Sequence, residues 1–237
     1  MSIADKAATI SANNVTIAEN EQKVYDAGYD KGVYDRDLLI WKAITMNGTR
    51  HNDSNGYYYA FQRTDFTGYT FVKPIAPTGG VTCQGMFYEY MGKYLPGNLD
   101  LSGLSPSTNI SQLFTWATSL LEVPDIGLPA MNHYHFTVMR SCKKIEIVRV
   151  HEGTTYIIGD FGNLESITFE GVIGKNINLS SAPKLNHDSL MNIINCLKDY
   201  SEDTSGTTHT LTIGTANVAK LTAEQQQIAI DKGWTIA

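Results

Sequence analysis

Between Met86 and Phe169 the apolar residues recur in steps of three and then of two, and the gaps fill with Gly, Pro, Asn and Ser. Cys142, Ile145, Val148 and Val150 make the clearest unit. Phe161, Leu164, Ile167 and Phe169 repeat it 19 positions later. Ala117, Leu120 and Val123, continuing through Ile126 and Leu128, precede it by 25. A fainter copy opens at Met86–Phe87 and runs through Leu95, Leu99 and Leu101, and Phe87 and Phe114, 27 apart, each open a unit. The three-residue steps suit a tight turn that brings side chains inward. The closing two-residue step suits a short strand with alternate side chains buried. This grammar predicts stacked units, one short strand per coil, rather than one closed core.

A coil of about 20–27 residues holding one short strand is the leucine-rich-repeat pattern. The expected fold class is therefore α+β: an N-terminal coiled-coil helix, a short leucine-rich-repeat solenoid and a helix–strand–helix C-terminal cap. Residues 1–45 supply the first part. Ile3, Ile10, Ile17 and Val24 are spaced by seven, which places Lys6, Asn13, Asn20 and Ala27 at the d positions. β-Branched residues at a favour a parallel coil, and the Asn layers fix its register and favour three strands over two. The oligomerisation residues are thus Ile3, Ile10, Asn13, Ile17, Asn20 and Val24. A single amphipathic helix lying on the rest of the protein is the alternative. Gly28 and Gly32 break the pattern, and a second helical piece begins at Val33.

Residues 46–85 form a connector and N-terminal cap, with turn signals at Asn47-Gly48 and Asn55-Gly56. The repeats occupy 86–185 and the C-terminal cap 186–237. In the cap, Asn186 precedes a helix through Leu190, Ile193, Ile194 and Leu197. His209 to Ile213 alternates as a strand, and Thr222-Ala-Glu-Gln225 is a capping box opening a last helix that Gly233 stops.

The chain of 237 residues carries a net charge of −6 without a Lys/Arg run, which argues against nucleic-acid binding. Three scattered Cys build neither a disulfide framework nor a CxxC metal site. No run of 18 apolar residues predicts membrane insertion, and no basic-then-apolar start predicts a signal peptide. Tyr, at 13 residues, is common enough to suggest a recognition surface, with Tyr57, Tyr58, Tyr88, Tyr90 and Tyr134 as its candidates.

Particular segments resemble BspA-like leucine-rich-repeat proteins of bacteriophages and prophages of gut Firmicutes. At the C-terminus these are Gly171–Ser180, Leu185–Asn195, Leu211–Gly214, Leu221–Glu224 and Lys232–Ala237. At the N-terminus they are Ile17–Gly28, Trp41, Gly48, Arg50, Tyr59–Phe61 and Phe71–Pro74. The resemblance is specific at both ends and loose in the repeats. It implies a non-enzymatic virion protein, a homotrimer attached to other virion proteins by its N-terminal helix. Its repeat domain would then be displayed towards a host glycan or protein, as in a tail or baseplate fibre. A capsid decoration or head-fibre protein is the alternative, ahead of a bacterial surface adhesin or a polysaccharide-degrading tailspike.

Two chemical readings compete with that one. His133 and His135 fall on one face of a strand, where a three-fold axis would gather six imidazole nitrogens for a metal. Ordinary histidines are the preferred reading, and no metal or cofactor is expected. Asp100, Asp125, Glu146, Asp160, Glu165 and Glu170 offer carboxylate pairs of the kind glycoside cleavage needs. Their places match the exposed positions of the repeats. No nucleophile elbow, HExxH, P-loop or dinucleotide fingerprint is present, so no catalytic residue is assigned.

Overall fold

The computed structural model describes residues 60–68, 70–75 and 82–237. All of them belong to the second of two units, Gly48–Ala237. The heptad residues Ile3, Ile10, Asn13, Ile17, Asn20 and Val24, and with them Tyr57 and Tyr58, lie outside the described residues.

Ten short strands are described: β1 (Thr70–Ile75), β2 (Gly97–Leu99), β3 (Glu122–Val123), β4 (His133–Thr137), β5 (Lys144–Val150), β6 (Thr155–Gly159), β7 (Ser166–Gly171), β8 (Ile177–Asn178), β9 (His209–Thr212) and β10 (Trp234–Ile236). Every strand pair among them is parallel. In the centre the offset is constant: Glu122 faces Lys144, Lys144 faces Ser166 and His133 faces Thr155, 22 residues apart each time. A chain that pairs with itself in parallel at one fixed offset lays each coil on the next. Between the strands the same layering continues through backbone bonds, such as Cys83 N to Asn109 O at 2.9 Å and Lys143 N to Leu121 O at 2.7 Å.

The sequence alignment of the units needs correcting. The register sets Ile145 against Ile167, so the partner of Cys142 is Leu164 and not Phe161; the offset is 22 rather than 19. By the same register Cys142 follows Leu120, not Ala117. The cause is local. Apolar residues within a unit stand three apart, so a slip of one step leaves the apolar pattern matched. Only bonding between coils decides among such registers.

The aromatic spacing was the better guide. Phe61, Phe87, Phe114 and Phe136 are buried and meet ring to ring through the coils, with centroids 5.2, 5.5 and 6.0 Å apart; Phe87 and Phe114 stack and the other two pairs are tilted. Among the described residues the ladder begins at Phe61, and Phe61 N already bonds Met86 O at 2.8 Å, upstream of residue 86. Leu120, Cys142 and Leu164 make a second buried column, and Val123, Ile145 and Ile167 a third.

Helix α1 (His187–Cys196) closes the side of β7 that has no strand partner. Ser189 Oγ accepts from Ile167 N at 3.0 Å, and Asn192 accepts from Phe169 N at 2.7 Å while donating to Phe169 O at 3.1 Å. Side chains here do for the ladder what a further strand would do. Asn186 caps α1 through Ser189 N at 2.8 Å. Lys232 Nζ donates to the carbonyls of Ile194, Asn195 and Leu197 at its other end, where α-helices leave acceptors unpaired. Two further helices follow, α2 (Thr215–Val218) and α3 (Ala223–Asp231), the latter with the full Thr222/Gln225 capping box. The sequence reading omitted α2 and β10. β10 pairs with β9, and β9 with β8, so parallel layering runs to the C-terminus.

Candidate recognition groove

In five successive coils one non-glycine residue at the same place has a left-handed backbone. These are Arg63, Glu89, Trp116, Val138 and Asp160, with φ of 57°, 53°, 62°, 58° and 60°. The first four each stand two residues after a Phe of the buried ladder, and Asp160 stands two after Ile158, which pairs with Phe136. The amides of Arg63, Glu89, Trp116 and Val138 donate to the carbonyls of Tyr88, Thr115, Thr137 and Gly159 in the following coil, at 3.3, 2.9, 3.1 and 3.0 Å. The chain therefore turns the same corner in each coil. The left-handed conformation costs an L-residue roughly 1–2 kcal/mol. Of the five, only Asp160 is of a type enriched there, and β-branched Val138 is a true outlier. The corner side chains form a column with a rise of about 4.8 Å per coil, the spacing of paired strands.

At one end this column borders an open groove of about 320 Å³. Arg63, Glu89, Met91, Trp116, Thr118 and Ser119 line it. Trp116 is 46% exposed and Met91 57%, both unusual for large apolar side chains. Arg63 and Glu89 join as an ion pair between adjacent coils, which holds the Glu89 carboxyl below its ordinary range and the Arg63 guanidinium above. Tyr90 underlies the groove.

Two of the tyrosines expected on a recognition surface are buried instead. Tyr90 is 1% exposed; its hydroxyl accepts from Phe66 N at 2.9 Å and donates to Tyr94 O at 2.7 Å. Tyr134, also 1% exposed, donates to Arg149 O at 2.7 Å. Burial pushes both phenols above their ordinary range. The alternation of β4 carries the reason: with His133 and His135 on the outer face, Tyr134 must point inward with Phe136. Tyr88 is half-buried beside the corner. The residues the sequence reading missed are Trp116, Arg63, Glu89 and Met91. The signal for the first three was their place, two after each Phe of the ladder.

His133 and His135 share the outer face of β4, and burial together with His133 lowers the pKa of His135. Among the described residues no group of three or more His, Cys, Asp or Glu is placed to hold a metal. Of the six candidate carboxylates, Asp125 binds Arg149 through two bonds of 2.8 and 2.7 Å, Glu170 joins the same Arg149 at 3.2 Å, and Asp160 binds Arg140 at 2.6 Å. Asp100 accepts from Ser102 N at 2.9 Å, and Glu146 from Asp125 N at 3.0 Å. Asp100, Asp125 and Glu146 all titrate below their ordinary range for these reasons. Desolvation pushes the buried thiols of Cys83 and Cys142 up to about 12.

A second cavity of about 360 Å³ lies between Tyr156, Asn176, Tyr200, Thr207, Thr208 and His209. His209 stacks on Tyr200 at 3.6 Å, and its Nε2 stands 3.6 Å from Asp203 Oδ2, beyond hydrogen-bond reach. No described helix is long and apolar enough to cross a membrane. Comparisons with protein-family models, with curated proteins and with solved structures find no match to this chain.

Proposed function

We propose that this chain is a non-enzymatic bacteriophage virion protein of the BspA-like leucine-rich-repeat kind. It forms a trimer through the 3–24 heptad and displays its coils for host-surface recognition or for contact with another protein. The observation that carries the recognition part is the groove at Trp116. A regular stack with paired backbone holds a half-exposed indole, an exposed Met and an Arg–Glu pair on one corner. Trp, Met and Arg are residue types enriched where proteins meet their partners, and a rigid stack presents them without an ordering cost. The bonded carboxylates support a binding rather than a hydrolytic role, since Asp125, Asp160 and Glu170 are engaged with arginines across the coils.

Two measurements test this reading. Light scattering on the full chain is expected to give three times the monomer mass, and Ile10→Asp with Ile17→Asp to give the monomer. A wild-type monomer at high concentration would remove the trimer. Pull-down by intact cell walls from a panel of Firmicutes is expected to retain the protein on at least one wall, and retention on none would remove host recognition. A capsid decoration or head-fibre role is the second reading. Ile230, 51% exposed on α3, favours it as an apolar side chain that a virion neighbour would cover.

A further inference from the structure

We propose that the Trp116 groove binds an uncharged saccharide, a step that rests on the recognition reading and names its ligand class. One ring face would lie on the indole, and the ring hydroxyls would meet the Arg63–Glu89 pair, Thr118 and Ser119.

Several observations meet in this assignment. The indole is half exposed while the Phe two residues before it is fully buried in the ladder, so Trp116 is held out on a fixed base. A flat, rigid aromatic with a polar edge suits a ligand with one apolar and one hydroxylated side, and a sugar ring is such a ligand. The groove's polar groups alternate in kind. A guanidinium donates, the carboxylate beside it accepts, and two hydroxyls do both. Vicinal sugar hydroxyls also donate and accept at neighbouring atoms, so this pairing matches them more closely than it matches a simple ion.

Charge then narrows the class. Glu89 neutralises Arg63 within the groove, leaving no uncompensated cation for an acidic sugar, and the chain as a whole carries −6. A peptide added as a further strand is disfavoured as well, because the corner amides of Arg63, Glu89 and Trp116 already bond the next coil. The volume of about 320 Å³ lies at the small-ligand end of binding clefts.

The backbone adds a last argument. Glycine would fit the left-handed corner without strain, and the chain does use it nearby. Gly85 and Gln112, with φ of 60° and 61°, occupy equivalent turns of adjacent coils, with Gly85 N bonded to Ser111 O at 2.9 Å. None of the five corner residues is glycine. At Trp116, as at the other corners, the left-handed conformation fixes the direction in which the side chain leaves the stack.

The test titrates the full-length protein with neutral tetrasaccharides of the chito, cello and malto series and with neutral dextran, following tryptophan fluorescence and calorimetry. The titration is read in a Trp41→Phe background, and Trp234, 2% exposed, contributes little to a surface signal. The expected result is saturable binding of at least one probe, weakened tenfold or more in both Trp116→Ala and Trp116→Gly. Both variants are melted beside wild type, so that lost binding in a protein that still unfolds cooperatively is told apart from a lost fold. The glycine variant, which relieves the corner, is expected to melt no lower than the alanine variant. Three results would overturn the inference: no binding of any probe, equal binding by both variants, or tighter binding of a sulfated dextran than of the neutral one. The same variants go into the cell-wall pull-down. Wall retention that depends on Trp116 without saccharide binding removes the saccharide and leaves recognition standing, with a protein receptor in its place.

Discussion

Asp125 shows what the abundant Asp, Asn and Ser residues do. Its carboxylate grips Arg149 in the next coil through two bonds and accepts from Gly127 N at 2.9 Å, closing its own turn. The same turn recurs at Asp100 with Ser102, Asn109 with Ser111, Asn178 with Ser180 and Asp203 with Ser205. At these positions the polar residues are turn chemistry. Bonding to Arg149 draws the Asp125 pKa down to about 2. A carboxyl whose folded pKa lies below its unfolded value, near 3.9, stabilises above that value and loses the contribution as pH falls towards 2. Both partners are about one-third exposed, so solvent screening limits the pair to about 1 kcal/mol. Asp125→Asn is expected to lower urea stability by that amount at pH 7, with the gap closing near pH 2. A gap unchanged in acid would mean that the ion pair is not its source. The sequence made Asp125 legible as an exposed repeat position. Its partner, 24 residues away, was not, because nothing local names it.

Elements were readable where their causes are local. The Asn186 cap, the Thr222 capping box, the β9 strand and the Gly233 stop each depend on residues within a few positions, and each appears as the pattern indicates. The register between coils was not readable from apolar spacing, since a three-residue slip costs nothing in the pattern. The large side chains break that degeneracy. Phe114 stacks on Phe87 and touches Phe136, and a Phe slipped by one step would lose both of those Phe partners. Phe114→Ala should cost about 3–5 kcal/mol by the cavity it leaves in a fully buried column, measured by denaturant unfolding. A loss under about 1 kcal/mol would show that the ladder is ornamental to stability. The α1 edge makes a separate prediction. Asn192→Leu keeps the branched shape and removes the acceptor and donor for Phe169, leaving Phe169 N without a side-chain acceptor and Phe169 O with only the Cys196 thiol at 3.4 Å. The expected loss is about 1–3 kcal/mol. Asn192→Asp, which restores the acceptor alone, should recover part of it.

A molecule built by parallel layering differs from a closed core in how its parts share stability. Each coil pairs its backbone with the coils before and after it, so protection against opening should follow the number of bonded neighbours rather than depth within a single core. β5 is bonded on both sides, to β3 and to β7, and β7 is closed by the side chains of α1. Hydrogen exchange is therefore expected to be slowest across Lys144–Val150, Ser166–Gly171 and His209–Thr212, the last being β9, which is bonded to both β8 and β10. It should quicken stepwise through the coils of Trp116, Glu89 and Arg63, whose spacing of 27 and 26 residues adds loop to each turn. One exchange rate throughout would mean that the stack opens as a single unit and that its coils are not separable layers. The graded outcome bears on the groove. Arg63, Glu89 and Trp116 come from the three coils at the faster end, and their ion pair and backbone bonds tie those coils together. A ligand that spans the three should slow exchange there and leave β5 and β7 unaltered, because it adds a bond between layers that already lie in register. Slowing spread evenly over the chain would argue against that site. Slowing confined to the coils of Arg63, Glu89 and Trp116 would locate bound ligand on the corner column independently of any tryptophan signal.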